Sequence, residues 1–340
     1  MITQRQLNRA LLARQGLLEP FSLPLPRVLE QVGGIQAQYA PSMYVGLWSR
    51  MQGFDRDQLT AALEERTAVQ GTLLRGTIHL VSREDYWAFA LVVRPLLRDW
   101  FIRGAKGEPS AAEIEGAATR LRAELADGPI TQAKIDELVG RPARRWLNAF
   151  LHLLRVPPSG TWQRRRADLY ADAEAEVGPP KLSADEAEEL LVRRYLGGFG
   201  PATRAGIASW AGMAVRAVDT VLERVDHVTY ECEDGSRLVD LPGAPLPDPD
   251  QPVPVRFLPT WDATLLVHAR RTQILPERHR PKIFGTKTPF SFPTFLVDGA
   301  VAGTWRYTDG RIELTEFDPL PRRVRREVEK AAEPLAALHS

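Results

Sequence analysis

The chain has little cysteine and no long apolar run. Cys232 is the single cysteine among 340 residues, which excludes an intramolecular disulfide and disfavours a cysteine-based metal site. No stretch is long and apolar enough to span a bilayer, and the first residues lack the apolar region of a secretory signal. We therefore expect a protein of the reducing cytoplasm.

Several common catalytic motifs are also missing. The sequence contains no glycine-rich phosphate loop, no dinucleotide fingerprint, no HExxH helix and no GxSxG elbow, and its six histidines are scattered. Kinases, conventional hydrolases and metalloenzymes are therefore disfavoured, and we expect neither a metal nor another cofactor. An enzyme with this sequence would have to use less usual groups.

Charge of one sign is not in excess either, since the formal net charge is +1. A neutral total argues against indiscriminate binding of polyanions. Arginine is nevertheless concentrated in clusters at expected turns and strand ends, where cations held in place can contact phosphates. A solvated surface is the competing explanation for each cluster. The candidate DNA-binding cations are Arg144, Arg145, Arg164, Arg165, Arg166, Arg270, Arg271, Arg280 and Lys282.

Hydrophobic spacing predicts helices followed by paired strands, three times in succession. Strand pairs are expected around Arg75–Gly76, within 156–171 and around Asp234–Gly235. Each pair follows helical segments, and the last helix before the second pair is expected over 142–156. Helices followed by a hairpin are typical of a winged helix. After a proline-rich linker the chain reads as strands and one final helix. The predicted fold is α+β, mainly α, with winged-helix units at 1–107, 108–178 and 179–243 and a β-barrel-like domain at 244–340.

One short motif stands apart from this pattern. Gln36 and Gln38 flank Ala37 directly after the helix-breaking pair Gly33–Gly34. An amide carbonyl accepts a hydrogen bond and its NH2 group donates two, so two neighbouring amides can hold a water molecule. A plainer explanation is that the two side chains satisfy free backbone groups at a bend. The residues alone leave both interpretations open.

Three segments carry a resemblance to a known family. Residues 33–50 (GGIQAQYAPSMYVGLWSR), 72–86 (TLLRGTIHLVSREDY) and 292–306 (FPTFLVDGAVAGTWR) resemble the winged-helix DNA glycosylases of the AlkZ/YcaQ type, in the same order and over most of the chain. The resemblance implies tandem winged helices and a small β-barrel, arranged as a C around a DNA channel. It also implies excision of alkylated purines and unhooking of interstrand crosslinks. The Gln-Ala-Gln tripeptide matches the branch associated with resistance to a crosslinking natural product.

Under this interpretation Gln36 and Gln38 are the catalytic residues. A purine alkylated at ring nitrogen 7 is cationic and leaves as a neutral base, so no general acid is required. The bond breaks toward an oxocarbenium-like sugar, and a positioned water completes hydrolysis. Arg75, Thr77 and His79 alternate along the first hairpin, which predicts side chains on one face. They are candidate DNA-binding residues lining the channel beside the glutamines, and ordinary polar side chains of a surface strand are the alternative. Asp262 is a possible second electrostatic group.

The expected partner is duplex DNA carrying alkylated or crosslinked purines, bound by a monomer associated with the nucleoid. Two other functions stay open. A non-catalytic winged-helix DNA-binding protein, such as a transcriptional regulator, would prefer a particular sequence and would not need the glutamines for affinity. A protein–protein scaffold would show no salt-dependent DNA affinity.

Overall fold

The computed structural model describes residues 1–106, 109–266, 272–285 and 290–340. Its first segment contains five helices and three strands. Their order follows the chain: α1 Gln4–Arg14, α2 Leu25–Val32, β1 Ile35–Gln36, α3 Ala40–Trp48, α4 Arg56–Glu64, β2 Ala68–Thr72, β3 Ile78–Ser82 and α5 Tyr86–Ala105.

Local sequence accounts for several of these boundaries. Helix α2 ends at Gly33, whose left-handed φ of 74° suits glycine because it has no Cβ. Helix α4 begins after Asp55, which accepts the N–H of Asp57 and forms a capping box with Gln58. The predicted first hairpin is confirmed, since β2 and β3 pair antiparallel from Ala68↔Ser82 to Thr72↔Ile78.

The second segment follows the same order of helices and then strands. It comprises α6 Ala111–Leu125, β4 Ile130–Thr131, α7 Gln132–Val139, α8 Arg141–Arg144, β5 Leu153–Arg155, β6 Leu169–Asp172 and α9 Ala173–Val177. Thr131 caps α7 as predicted. The helix predicted over 142–156 is wrong beyond Arg144. A short 3-10 turn and then β5 replace it, because Leu153 and Leu154 are buried in a sheet.

Strands of the first two segments form one six-stranded sheet in the order β1-β3-β2-β5-β6-β4. Within the sheet, the two segments are joined by the pairing of β2 with β5, at Gln70↔Arg155 and Gly71↔Leu154. The predicted domain border between residues 107 and 108 therefore lies between two segments whose strands belong to the same sheet. Because β1 lies at its edge, the Gln-Ala-Gln motif lies at that edge as well.

The third segment again contains helices followed by a pair of strands. Its elements are α10 Ala184–Phe199, α11 Arg204–Ala211, α12 Val215–Leu222, β7 Val228–Glu231 and β8 Arg237–Asp240, with β7 and β8 paired as the predicted hairpin. A buried ion pair joins β8 to the first helix. Arg14 donates to the Asp240 carboxylate at 2.6 and 2.7 Å, with side chains 0% and 1% exposed.

The C-terminal segment is a sheet covered by a helix. Its elements are β9 Arg256–Leu258, α13 Ala263–Leu266, α14 Arg280–Ile283, β10 Thr294–Val297, β11 Ala300–Thr308, β12 Arg311–Glu316 and α15 Arg322–His339. The expected barrel is corrected here. Within the residues described, β12-β11-β10-β9 form an open sheet rather than a closed one. Buried Val328 and Leu335 of α15 join the apolar cluster that contains Phe257 and Phe295 of the sheet.

The four segments pack tightly against one another. One apolar cluster combines Leu11 of α1, Phe89 of α5, Tyr195 of α10 and Leu296 of β10. No helix in the described part of the chain is long and apolar enough to cross a membrane.

Candidate functional site

The Gly33–Gly34 pair turns the chain from α2 onto the sheet edge. Both glycines have positive φ, 74° and 76°. A Cβ on Gly34 would lie 2.9 Å from Val81 and 3.1 Å from the carbonyl oxygen of Leu80. The close approach lets Ile35 and Gln36 pair with Leu80 and His79 of β3. The break that precedes the motif therefore positions it on the first hairpin.

Gln36 is buried, with 6% of its surface exposed. Its Oε1 accepts a long hydrogen bond from Nη2 of Arg75, at 3.5 Å, and its Nε2 has no partner in the described part of the structure. Arg75 lies in the turn of the hairpin with a φ of 55°, and its Nη1 donates to the carbonyl of Trp210 at 2.7 Å. This guanidinium thus orients the Gln36 amide from a fixed position.

Burial lowers the pKa of Arg75 to about 10. The guanidinium therefore stays charged at neutral pH. Its two observed acceptors are neutral oxygens, those of Gln36 and Trp210. The site therefore carries a net positive charge next to the first amide.

Gln38 is exposed, and its side chain extends the sheet. The main-chain N–H of Ala37 donates to the carbonyl of Ile78 at 2.7 Å, and Oε1 of Gln38 accepts the N–H of Ile78 at 3.0 Å. An amide oxygen has two lone pairs, so Oε1 can accept a second hydrogen bond. Nε2 of Gln38 has no partner among the residues described. The two amides thus lie on the same hairpin and keep donors available.

His79 and Thr77 lie beneath this edge. His79 is 3% exposed, and its Nδ1 lies 3.1 Å from the Thr77 carbonyl and 3.4 Å from Thr77 Oγ1. Burial, with a further contribution from the charge of Arg75, lowers the pKa of His79 to about 3. The ring is therefore neutral at pH 7.

The expected single face of Arg75, Thr77 and His79 differs from the observed geometry. Strand β3 begins at Ile78, so Arg75 lies in the preceding turn, where its positive φ breaks the alternation. Arg75 and Thr77 are half-buried and His79 is buried. The three residues do meet beside Gln36, but through the turn rather than along one strand face.

Of the three arginines between β5 and β6, one contacts the residue that follows the motif. Arg164, Arg165 and Arg166 are all exposed. Arg164 and Arg166 pair with Asp168 at 3.2 and 3.3 Å. Nη1 of Arg165 donates to the hydroxyl of Tyr39 at 3.1 Å. Arg165 is thus held against the residue that follows Gln38.

Arg144 and Arg145 lie on a small polar cavity of about 150 Å³. A third guanidinium, that of Arg155, lines the same cavity. Arg155 is not among the cations that the sequence predicts to bind DNA. Arg155 Nη1 donates to Thr72 at 3.1 Å, while its Nε is buried without a partner in the described chain. Burial lowers its pKa. The sequence feature that could have identified Arg155 is its position directly after the mainly apolar run LHLL at 151–154.

Four candidate cations belong to the C-terminal segment. Arg270 and Arg271 lie outside the described residues. Arg280 is exposed above the Phe284 ring at 5.4 Å, and Lys282 donates to the Phe317 carbonyl at 3.2 Å. The described residues around these two cations form helical turns at Glu277–His279 and Arg280–Ile283.

One further candidate, Asp262, is placed by the structure. Asp262 is buried and pairs with Arg50 at 3.0 Å, so its carboxylate is neutralised within the protein. Groups of three or more histidine, cysteine, aspartate or glutamate side chains able to hold a metal do not occur in the described part of the chain. The arrangement around Gln36 can therefore supply amide donors, amide acceptors and a guanidinium.

Comparison with known proteins bears on these features. A family model described as DNA glycosylase AlkZ-like matches residues 29–338. The solved structure of Streptomyces sahachiroi DNA glycosylase AlkZ superposes with a TM-score of 0.81 at 16% identity, covering 99% of this chain and 97% of that one. No curated protein matches the chain. The matched range begins in α2, includes both glutamines and extends through α15, and the chain therefore belongs to the AlkZ-like DNA glycosylase family.

Proposed function

We propose that this DNA glycosylase hydrolyses the N-glycosidic bond of cationic alkylpurines, the 7-alkylguanine class, with a water held by Gln36 and Gln38. The observation that carries the proposal is the pair of amides on one sheet edge, each with an NH2 group that has no partner among the described residues. Neither residue is a strong acid or base, which matches a substrate that needs no protonation before it leaves.

The chemistry divides between the two partners of the reaction. Positive charge on the alkylated base weakens its bond to the sugar, and departure of the base neutralises that charge. The sugar then resembles an oxocarbenium ion, as in glycoside hydrolysis. The protein has to hold water on the opposite face and present oxygen dipoles to the developing charge, contributions of several kcal/mol in favourable cases. Hydrolysis by water leaves an abasic site in an unbroken strand, so the activity is monofunctional.

The contacts suggest a role for each amide. Oε1 of Gln36, oriented by Arg75, and the second lone pair of Gln38 Oε1 accept hydrogen bonds from the attacking water. The NH2 groups donate to sugar or phosphate oxygens. Because the 3.5 Å contact from Arg75 is long, water competes for that oxygen at little cost.

DNA binding follows from the arginines. We assign duplex backbone contacts to Arg165 beside the motif and to the cavity of Arg144, Arg145 and Arg155. Arg144 pairs with Asp136 at 3.3 Å, whereas Arg155 has no carboxylate partner among the described residues and could pair with a phosphate. The same proposal includes winged-helix units arranged as a C around a DNA channel, a monomeric state and a place at the cytoplasmic nucleoid. It also includes unhooking of interstrand crosslinks and the associated antibiotic resistance.

A single assay tests the central claim. Duplex DNA carrying 7-methylguanine is incubated with enzyme in excess and heated in alkali to reveal abasic sites. We expect cleavage with the wild type and a loss of at least a hundredfold in rate for the Gln36→Ala, Gln38→Ala double variant. Gln251→Ala, at an exposed linker position, is the matched control. Full excision by the double variant would overturn the assignment, and the same assay on a crosslinked duplex tests unhooking.

One observation favours a second function. The hydrogen bond from Ile78 to Gln38 satisfies a backbone N–H at the sheet edge, which is a structural role that needs no chemistry. A non-catalytic DNA-binding regulator would use Gln38 in this way. It predicts no abasic sites with any alkylated duplex, a preferred DNA sequence, and an affinity that the two alanine substitutions leave unchanged.

A further inference from the structure

A second cavity, of about 550 Å³, opens beside the motif. It lies between the start of α3, the loop of Arg165 and the C-terminal sheet. Six of its wall residues are aromatic: Tyr39, Trp261, Phe290, Phe292, Trp305 and Tyr307. Its volume is in the range of sites that hold small organic ligands. The catalytic proposal does not use it.

Several of these rings are exposed to solvent. Tyr39, Phe290 and Phe292 have exposed fractions of 44%, 45% and 47%. The rings of Trp261 and Phe290 lie edge to face at 6.3 Å, and those of Phe290 and Phe292 at 5.1 Å. Contiguous exposed aromatic surface is uncommon and marks binding sites. In an edge-to-face pair one ring presents its edge to its neighbour, so the faces of that ring stay available for a planar ligand.

Trp261 is held in an unfavourable backbone conformation. Its φ is 64°, in the left-handed region that bulky residues rarely occupy. Flanking contacts maintain it. The Trp261 N–H donates to Ser291 Oγ at 2.7 Å, and the next residue, Asp262, is anchored by the buried Arg50 at 3.0 Å. Strain maintained in this way is common at ligand sites. The fold thus stabilises a tryptophan at the cavity wall at some cost.

The cavity is connected to the candidate catalytic residues. Tyr39 directly follows Gln38, and its hydroxyl accepts from Arg165, which also lines the cavity. Arg306, on the opposite wall, is exposed. Guanidinium groups on two sides of an aromatic cavity match a planar group attached to a phosphate backbone. A lesion whose sugar lies at Gln38 would reach the rings.

Two wall residues have unsatisfied polar atoms. Ser42 Oγ and His339 Nε2 are buried without a hydrogen-bond partner in the described part of the protein. Both residues line the cavity. Buried polar atoms normally have partners, so a ligand with ring heteroatoms or exocyclic amines would supply what the wall lacks.

We propose that this cavity binds a planar aromatic group of the DNA lesion during excision. The proposal rests on the proposed function, because it takes the lesion as the occupant. The shared chemistry has two sources, the alkylated base turned out of the stack and an aromatic substituent carried on that base. Either one would stack against Trp261 and Phe290.

Binding of a free base tests the site without catalysis. The probe is 7-benzylguanine, titrated into the full-length protein and followed by saturation-transfer NMR. We expect Trp261→Gly to weaken binding at least tenfold, and glycine suits the positive φ at this position. Phe290→Ser should act in the same direction. Ile102→Ser, which removes an exposed apolar side chain elsewhere, should leave binding unchanged. Equal affinity of wild type and Trp261→Gly, or no binding by wild type at millimolar probe, overturns the proposal.

Excision assays separate the two sources. Duplexes with 7-methylguanine and 7-benzylguanine are compared under single turnover. If the base enters, Trp261→Gly slows both substrates by a similar factor of at least five. If the substituent enters, only 7-benzylguanine is slowed. Unchanged rates on both overturn the proposal. Probe binding without excision of either substrate refutes the proposed function alone, whereas excision that is insensitive to Trp261 refutes the cavity alone.

Discussion

Gln38 Oε1 accepts the main-chain N–H of Ile78 at 3.0 Å, so a side chain continues the ladder where strand β1 ends. The contact fixes the side chain of an exposed residue without using its NH2 group. Gln38 is thereby ordered in the absence of DNA, and a preorganised group loses less entropy when substrate binds.

Substitutions at Gln38 should separate its two duties. Gln38→Ala leaves the Ile78 N–H without its partner, so we expect the free energy of unfolding to fall by about 1 kcal/mol. We also expect this variant to lose excision. Gln38→Glu keeps an acceptor for both Ile78 and water, and should retain stability and measurable excision. Urea unfolding and single-turnover assays provide the measurements. Equal destabilisation by glutamate and alanine would contradict the role of the Ile78 contact.

Arg75 is expected to act on the rate rather than on DNA affinity. Its guanidinium is half-buried and bonded to Trp210 and Gln36. Arg75→Asn suits the left-handed φ and removes the group that orients Gln36. The single-turnover rate at saturating enzyme should fall about tenfold, while the DNA dissociation constant changes less than threefold. The opposite pattern, weaker binding with an unchanged rate, would identify Arg75 as a phosphate contact.

The cavity of Arg144, Arg145 and Arg155 should contribute to the salt dependence of DNA binding. Each phosphate contact adds about one to the slope of log affinity against log salt. Arg155→Met should therefore reduce that slope by about one. Arg323→Met, at a side chain 91% exposed on α15, is the control and should leave it unchanged. Fluorescence anisotropy over a salt series measures both. Identical slopes would remove Arg155 from the interface.

His79 should make the fold sensitive to acid. Its folded pKa of about 3 lies below its ordinary value of 6.5, so the unfolded chain binds the proton more strongly. Titration of His79 leaves the free energy of unfolding unchanged above pH 6.5. Below pH 6.5 it lowers that free energy by at most about 1.4 kcal/mol per pH unit, down to pH 3. Between pH 7.5 and 5.5, wild type should lose about 1 kcal/mol more than His79→Gln in urea unfolding. Parallel losses would show that His79 is not the titrating group.

Much of the local structure was predictable. The end of α2 at Gly33, the capping of α4 by Asp55, the first and third hairpins and α15 follow from caps, glycines and periodicity, whereas the second strand pair begins before its predicted range 156–171. These signals depend on neighbours within a few residues. The Gln-Ala-Gln motif was identifiable for the same reason, because it follows a helix stop.

Other features depend on distant residues. The helix predicted past Arg144 fails because β5 pairs with β2, more than eighty residues earlier, and this pairing outweighs local helical spacing. The role of Arg155, the buried Arg50–Asp262 pair and the aromatic cavity likewise join segments far apart in the chain. The pattern of residues along the chain does not specify which of these distant segments meet, or in which register they pair.

By itself, the sequence determined where many helices and strands begin and end, and that two amides stand at a break in the chain, because these depend on local backbone preferences. The tertiary structure alone decided that Gln36 is buried against Arg75, that Gln38 bonds Ile78, and that Trp261 faces a cavity beside them. The reason is physical: burial and hydrogen-bond partners are set by which surfaces meet, and those meetings are chosen by the packing of the whole chain.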